Sequence, residues 1–255
     1  MNEKKVEGAQ VIGKAIAMVK YVSFAGPDGA KVKDIASELG MSVPTVYRIA
    51  KAFEKNGWLE RLDNKMSLRL GIELFEIGIK AADAAGIRSL ARSSLLRLSE
   101  EVGATVFLMC RNDMRVIVVD RVWVGQNLST LTDNVGSTMP MGIGAGSIAI
   151  LSCVPPDEAH LVIEANGSAY AEFGVDPAEV RVEIEAARGD GYAETHDTLK
   201  IGLSAVAMPI RSPNGSSATA VTVNLQTESL TAARKARIVD LLKMEVDRIE
   251  KAIRA

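Results

Sequence analysis

The stretch "SVPTVYRIAK" sets five hydrogen-bonding side chains close together: Ser42, Thr45, Tyr47, Arg48 and Lys51. Hydroxyls and cations are the groups that phosphate oxygens and base edges accept. Val46, Ile49, Ala50 and Phe53 fall between them at helical spacing, so a helix here buries its apolar side and presents the polar one. Arg61, Asn64, Lys65 and Arg69 supply further donors just downstream. This is chemistry for gripping a polyanion. A second group is of another kind. Thr222 and Asn224 stand two residues apart among Val221, Val223 and Leu225, so on a strand they share one face. A polar pair there suits a pocket wall better than a plain core. In "MGIGAGSIAI", small residues run into an apolar helix. Backbone N–H groups at such a start favour an anion, and the absence of bulk lets a ligand come close.

Other reactive types do not assemble. His196 and Asp197 adjoin, but the chain has two histidines in all, too few for a histidine metal site. We expect that pair to serve a pocket hydrogen bond or a surface turn. Cys110 and Cys153 show no metal or disulfide spacing and read as small side chains in a reducing compartment. No G-x-S-x-G or paired-carboxylate motif is present, and "GIGAG" lacks the downstream acidic residue of a dinucleotide loop. No catalysis, metal or cofactor is expected.

Helices and strands must position these groups. Apolar spacing predicts a first helix over 9–23, with Ile12, Ile16, Val19 and Val22 as its stripe. "VKDIASELG" predicts a second, ended by Gly40, and 43–56 a third, with Ser42 as N-cap and Pro44 in its first turn. "WLERLDNKMSLRL" predicts a hairpin, so the order is that of a winged helix-turn-helix. Ala36 is small enough to let the two helices cross closely. Ile72, Phe75, Ile79 and Ala82 form one stripe of a further helix ending at Gly86. The expected division is a DNA-binding domain over 1–70, a linker helix over 71–86 and a mixed α/β (α+β) domain over 87–255. Strand stretches there include "TVFLMC", "RVIVVDRVWV", "NLSTLT", "GSTMPM", "SAVAMPIRS" and "SATAVTVNL". Helices on one side of a mainly antiparallel sheet is the economical arrangement.

Charge agrees with this division. The whole chain carries −2, yet residues 1–70 hold 12 Lys and Arg against 8 Asp and Glu, a net of +4. Residues 71–255 hold 18 against 24, a net of −6. Only the front end is suited to a polyanion. The 47% hydrophobic content fits a globular chain with an aliphatic core. No apolar run approaches ~18 residues and the N-terminus has no leader-like run, so a cytoplasmic protein with no membrane partner is expected.

"KVKDIASELGMSVPTVYRIAKAFEKNGWLER" followed by "LRLGIELFEIG" resembles the DNA-binding half of the IclR family of bacterial transcriptional regulators. The resemblance continues through "DRV" (Asp120–Val122), "GSTMPMGIGAGSIAILSCVPP" (Gly136–Pro156), "GDGYAETHDTLKIGLSAVAMPI" (Gly189–Ile210) and "NGSSATAVTVNL" (Asn214–Leu225). It implies a GAF-like C-terminal domain that binds a small organic acid effector, operator double-stranded DNA as partner, and a homodimer or a dimer of dimers. By the same resemblance the effector pocket comprises Met141, Ala145, Gly146, Thr195, Ala205, Thr222 and Asn224. The family often has an acidic residue where Thr195 stands, a cysteine at Ala205 and a lysine at Ile148. That departure makes an aromatic acid as fitting as a short keto acid. The expected function is a ligand-responsive regulator, in the first instance a repressor, of a catabolic operon. An enzyme with an appended winged helix, or a scaffold that senses nothing, are the alternatives.

Overall fold

A computed structural model describes residues 10–26, 28–62, 66–84, 86–123, 134–212, 215 and 217–254. The chain divides into two compact units, Met1–Ala84 and Ala85–Ala255.

The first unit runs α1 (Gln10–Ser23), β1 (Ala30–Lys31), α2 (Val32–Glu38), α3 (Val43–Lys55), β2 (Leu59–Arg61), β3 (Ser67–Leu70) and α4 (Ile72–Ala84). Local signals set the boundaries of α3. Ser42 caps it by accepting the Thr45 N–H at 3.4 Å, and Pro44 sits where a missing N–H costs nothing. Gly40 and Gly57 take φ of 58° and 69° at the turns on either side. Met18, Val22, Ile35, Ala36, Val46, Ile49, Leu59 and Leu68 form the core. Two features differ from the reading of the sequence. A short strand, β1, joins the hairpin in the order β1-β3-β2. On α1 the buried residues are Met18 and Val22, whereas Ile12 and Ile16 are exposed. Only the second half of that helix reaches this small core.

The second unit runs α5 (Ile87–Val102), β4 (Thr105–Asn112), β5 (Arg115–Val122), β6 (Thr138–Pro140), α6 (Ala145–Leu151), α7 (Pro156–Tyr170), α8 (Pro177–Asp190), β7 (Ala193–His196), β8 (Leu203–Ile210), β9 (Thr219–Gln226) and α9 (Ala232–Arg254). The sheet order is β6-β5-β4-β9-β8-β7, with each pairing antiparallel. Helices cover both faces, not one. Val106, Leu108, Val206, Val221 and Val223 pack with residues of α5 and α9, while Phe107, Met109, Ala205, Ala207 and Ala220 pack with residues of α6, α7 and α8. The reason is legible in β8, where every residue from Leu203 to Ile210 is buried. A strand with water on one side would alternate. The expected strand in "NLSTLT" lies outside the described residues.

Candidate functional site

The first candidate surface is built on α3. Its apolar side, Val46, Ile49 and Ala50, is buried. Ser42, Tyr47, Arg48 and Lys51 are exposed, and Thr45 is half-buried. Thr45, Arg48 and Lys51 follow one another at three-residue steps, so they line one side of the helix. Ser42 and Thr45 also join their hydroxyls at 2.8 Å. The wing cations are placed differently from Arg48 and Lys51. Arg61 sets Nε 2.7 Å from Glu54 and lays its guanidinium 5.4 Å from the centre of the Tyr47 ring. Arg69 gives both Nε and Nη2 to Glu60, at 3.0 and 2.8 Å. Their charge is met within the unit. Asn64 and Lys65 lie outside the described residues.

The second candidate site lies on the α6 side of the large sheet. Pairing between strands sets Thr105, Asn224, Ala205 and Thr195 in one row across β4, β9, β8 and β7. The next row holds Phe107, Thr222, Ala207 and Ala193. All eight are buried. Three are alanines, so the floor is low where α6 crosses it.

Gly146 lets the helix approach: a β-carbon there would stand 2.5 Å from both Thr222 Oγ1 and Met109 Sδ. Thr222 in turn points its hydroxyl at Met109 Sδ, at 3.5 Å. Ser147 and Ile148 send their N–H groups to Gly144 O, both at 3.2 Å. The N–H groups of Ala145 and Gly146 therefore precede the first intrahelical bonds. Met141, buried ahead of the turn, accepts the Tyr170 hydroxyl on its carbonyl at 2.6 Å.

Two polar atoms in the upper row are buried without a hydrogen-bond partner: Thr105 Oγ1 and Asn224 Oδ1. The two residues face each other across β4 and β9, and are 1% and 4% exposed. Such atoms are uncommon because each costs the hydration it has lost. The structure sets four of the expected residues, Thr195, Ala205, Thr222 and Asn224, on one sheet face that also carries Thr105, while Ala145 and Gly146 lie on α6 and Met141 ahead of it. The sequence signal of Thr105 was slight, the lone hydroxyl among Thr105, Phe107 and Met109 on alternate positions.

His196 belongs to neither site. Its Nδ1 lies 2.9 Å from Ser204 Oγ and its Nε2 lies 2.8 Å from Glu194, which Lys235 also binds at 2.7 Å. Serine, histidine and carboxylate in line suggest a nucleophile, but the protons point the wrong way. Ser204 donates to Thr227, and Thr227 donates to Asp197. Ser204 is also 1% exposed, out of reach of a substrate. Asp197, at φ 56°, accepts the Gly202 N–H at 2.7 Å and closes the β7–β8 turn. Of the pair, His196 ends β7 and Asp197 lies in the turn that follows. Burial pushes the Cys110 thiol up, and a hydrogen bond with Thr219 opposes the shift. Among the described residues no three potential ligands gather around a metal site, and no helix is long and apolar enough to cross a membrane.

Comparison with known proteins extends these observations. Residues 79–251 match the family described as bacterial transcriptional regulator IclR, C-terminal, and residues 27–70 match the MarR family. The chain is similar to the HTH-type transcriptional regulator KipR of Bacillus subtilis (strain 168), 27% identical over 203 residues, 79% of this chain and 80% of that one. In fold it is similar to the crystal structure of an IclR transcriptional regulator from Alicyclobacillus acidocaldarius, with a TM-score of 0.82 at 22% identity over 94% of this chain and 97% of the other. It is similar too to an IclR homologue from Microbacterium hydrocarbonoxydans complexed with 4-hydroxybenzoate, with a TM-score of 0.80 at 20% identity over 96% and 99%.

Proposed function

The chain belongs to the IclR family of bacterial transcriptional regulators, and we propose that it is a cytoplasmic repressor that reads operator DNA with α3 and senses a small organic acid in its second unit. The observation that carries the reading is the division of α3 into a buried apolar side and an exposed side bearing Tyr47, Arg48 and Lys51. A helix so held can enter the major groove. In this reading Ser42 and Thr45 contact the backbone at the helix start, and Lys51 contacts a phosphate. Arg61, Lys65 and Arg69 flank the groove; Arg61 stays on Glu54 and Tyr47, while Arg69 exchanges its carboxylate partner for a phosphate.

The effector's carboxylate lies against the N–H groups of Ala145 and Gly146, over a floor of Thr195, Ala205, Thr222 and Asn224, with Met141 behind. The unpartnered Asn224 oxygen supports a ligand here, as does the 4-hydroxybenzoate held by the Microbacterium homologue.

Assembly follows from exposed apolar side chains. Ile72, Phe75 and Ile77 on α4, and Val11, Ile12 and Ile16 on α1, are all exposed in the single chain. Such surfaces mark contacts between copies. We take them as the dimer face, on which a tetramer can be built, and a two-fold pair of heads requires a pseudo-palindromic operator. Ile79 falls where side chains are outside the described residues.

The test is to recover DNA fragments retained by the purified protein from its own genome, then titrate them with and without substituted benzoates and short keto acids. Pseudo-palindromic sites whose affinity an acid alters support the reading. Sequence-independent binding, or a monomer by sedimentation at micromolar concentration, would contradict it.

A further inference from the structure

Thr105 and Asn224 define more of the ligand than its carboxylate. An unpaired buried oxygen on a side-chain amide is an acceptor, and a threonine hydroxyl both gives and accepts. The two stand directly opposite each other on β4 and β9, where facing β-carbons are about 4.5–5.5 Å apart. One small group between them can meet both. A second carboxylate can only accept and would set acceptor against acceptor at the Asn224 oxygen, and a methyl or ring edge would leave both oxygens unmet. A hydroxyl fits: it donates to Asn224 Oδ1 and accepts from Thr105 Oγ1.

Neighbouring residues agree with this assignment. Ala205 and Thr195 complete the row, so no long side chain of β7 or β8 stands in it beside Asn224. Thr222 cannot take the same part, because its hydroxyl is turned to Met109 beneath Gly146.

We propose that the effector is a hydroxylated carboxylic acid, and that Thr105 and Asn224 discriminate it from the acid lacking the hydroxyl. The inference rests on the sensing role proposed above. Sites that hydrogen-bond a ligand hydroxyl reject the analogue without it, since buried partners are then left unpaired.

Calorimetry on the full chain with matched pairs tests this: 4-hydroxybenzoate against benzoate, and lactate against propionate. For at least one pair the wild type should favour the hydroxy acid roughly tenfold or more. Thr105→Val and Asn224→Leu should bring that ratio close to one while retaining the acid itself. Thr105→Val keeps the side chain's shape and removes an unpaired buried hydroxyl, so the unliganded protein should melt no lower than wild type. A lower midpoint would mean that the hydroxyl serves the fold. Equal binding of both members of each bound pair, or a preference that survives in both variants, overturns the inference and leaves acid sensing standing. If wild type binds none of the four acids, both fall.

Discussion

Arg61 braces Tyr47: the guanidinium lies over the phenol ring, 5.4 Å from its centre, while Glu54 holds the same side chain by Nε at 2.7 Å. A flat cation against a ring face is an attractive arrangement that an ammonium reproduces poorly. Tyr47 is thereby fixed on the exposed side of α3. Removing the brace with Arg61→Ala should weaken operator binding by about 1–2 kcal/mol at fixed salt. Arg61→Lys discriminates the causes. If Arg61 only neutralised a phosphate, lysine would restore affinity; because it positions Tyr47, we expect lysine to restore little.

Gly146 is the second point of leverage. A β-carbon there meets Thr222 Oγ1 and Met109 Sδ at 2.5 Å, and Thr222 is a stiff β-branched side chain in a sheet. Gly146→Ala should lift α6 from the floor and cost about 1–3 kcal/mol of stability. Acid binding should fall with it, while operator binding without acid stays at the wild-type level. An alanine variant with unchanged acid affinity would place the ligand elsewhere.

A carboxyl outside both sites sets a pH dependence. Burial raises Glu183 to about 7, the charge of Glu179 adds to the shift, and His196 opposes it. Its folded value is above the unfolded one, so the folded chain keeps a proton that the unfolded chain gives up. The stability this contributes is present below the unfolded value of about 4.3 and is lost as pH rises through about 7. Between about pH 5.5 and about pH 8 the thermal midpoint of wild type should fall more than that of Glu183→Gln. Equal falls would show that Glu183 titrates as an ordinary surface carboxyl.

The parts of this fold that were legible in the sequence are those with local causes. Ser42, Pro44 and Gly57 mark the ends of α3 because capping, a fixed φ and a left-handed turn act within a few residues. β1 escaped notice because its two residues form a strand only by pairing with Ser67 and Leu68, far along the chain. β7 is missing from the expected strands for a similar reason, since Thr195 and His196 are extended only by pairing with Ala205 and Ser204. Thr222 and Asn224 were visible as a polar pair. Thr105 was not, because its interest lies in a missing partner, and missing partners belong to three-dimensional structure.

The central claim is that α3 reads DNA, and Arg48 tests it most directly. Arg48 is exposed on that helix and makes no hydrogen bond or ion pair among the described residues, so its loss should not disturb the fold. A mobility-shift titration of recovered operator DNA at one salt concentration compares wild type with Arg48→Ala, alongside their melting curves. The account predicts an affinity loss of about 1–3 kcal/mol with an unchanged melting midpoint. Unchanged operator affinity in the folded variant would contradict it.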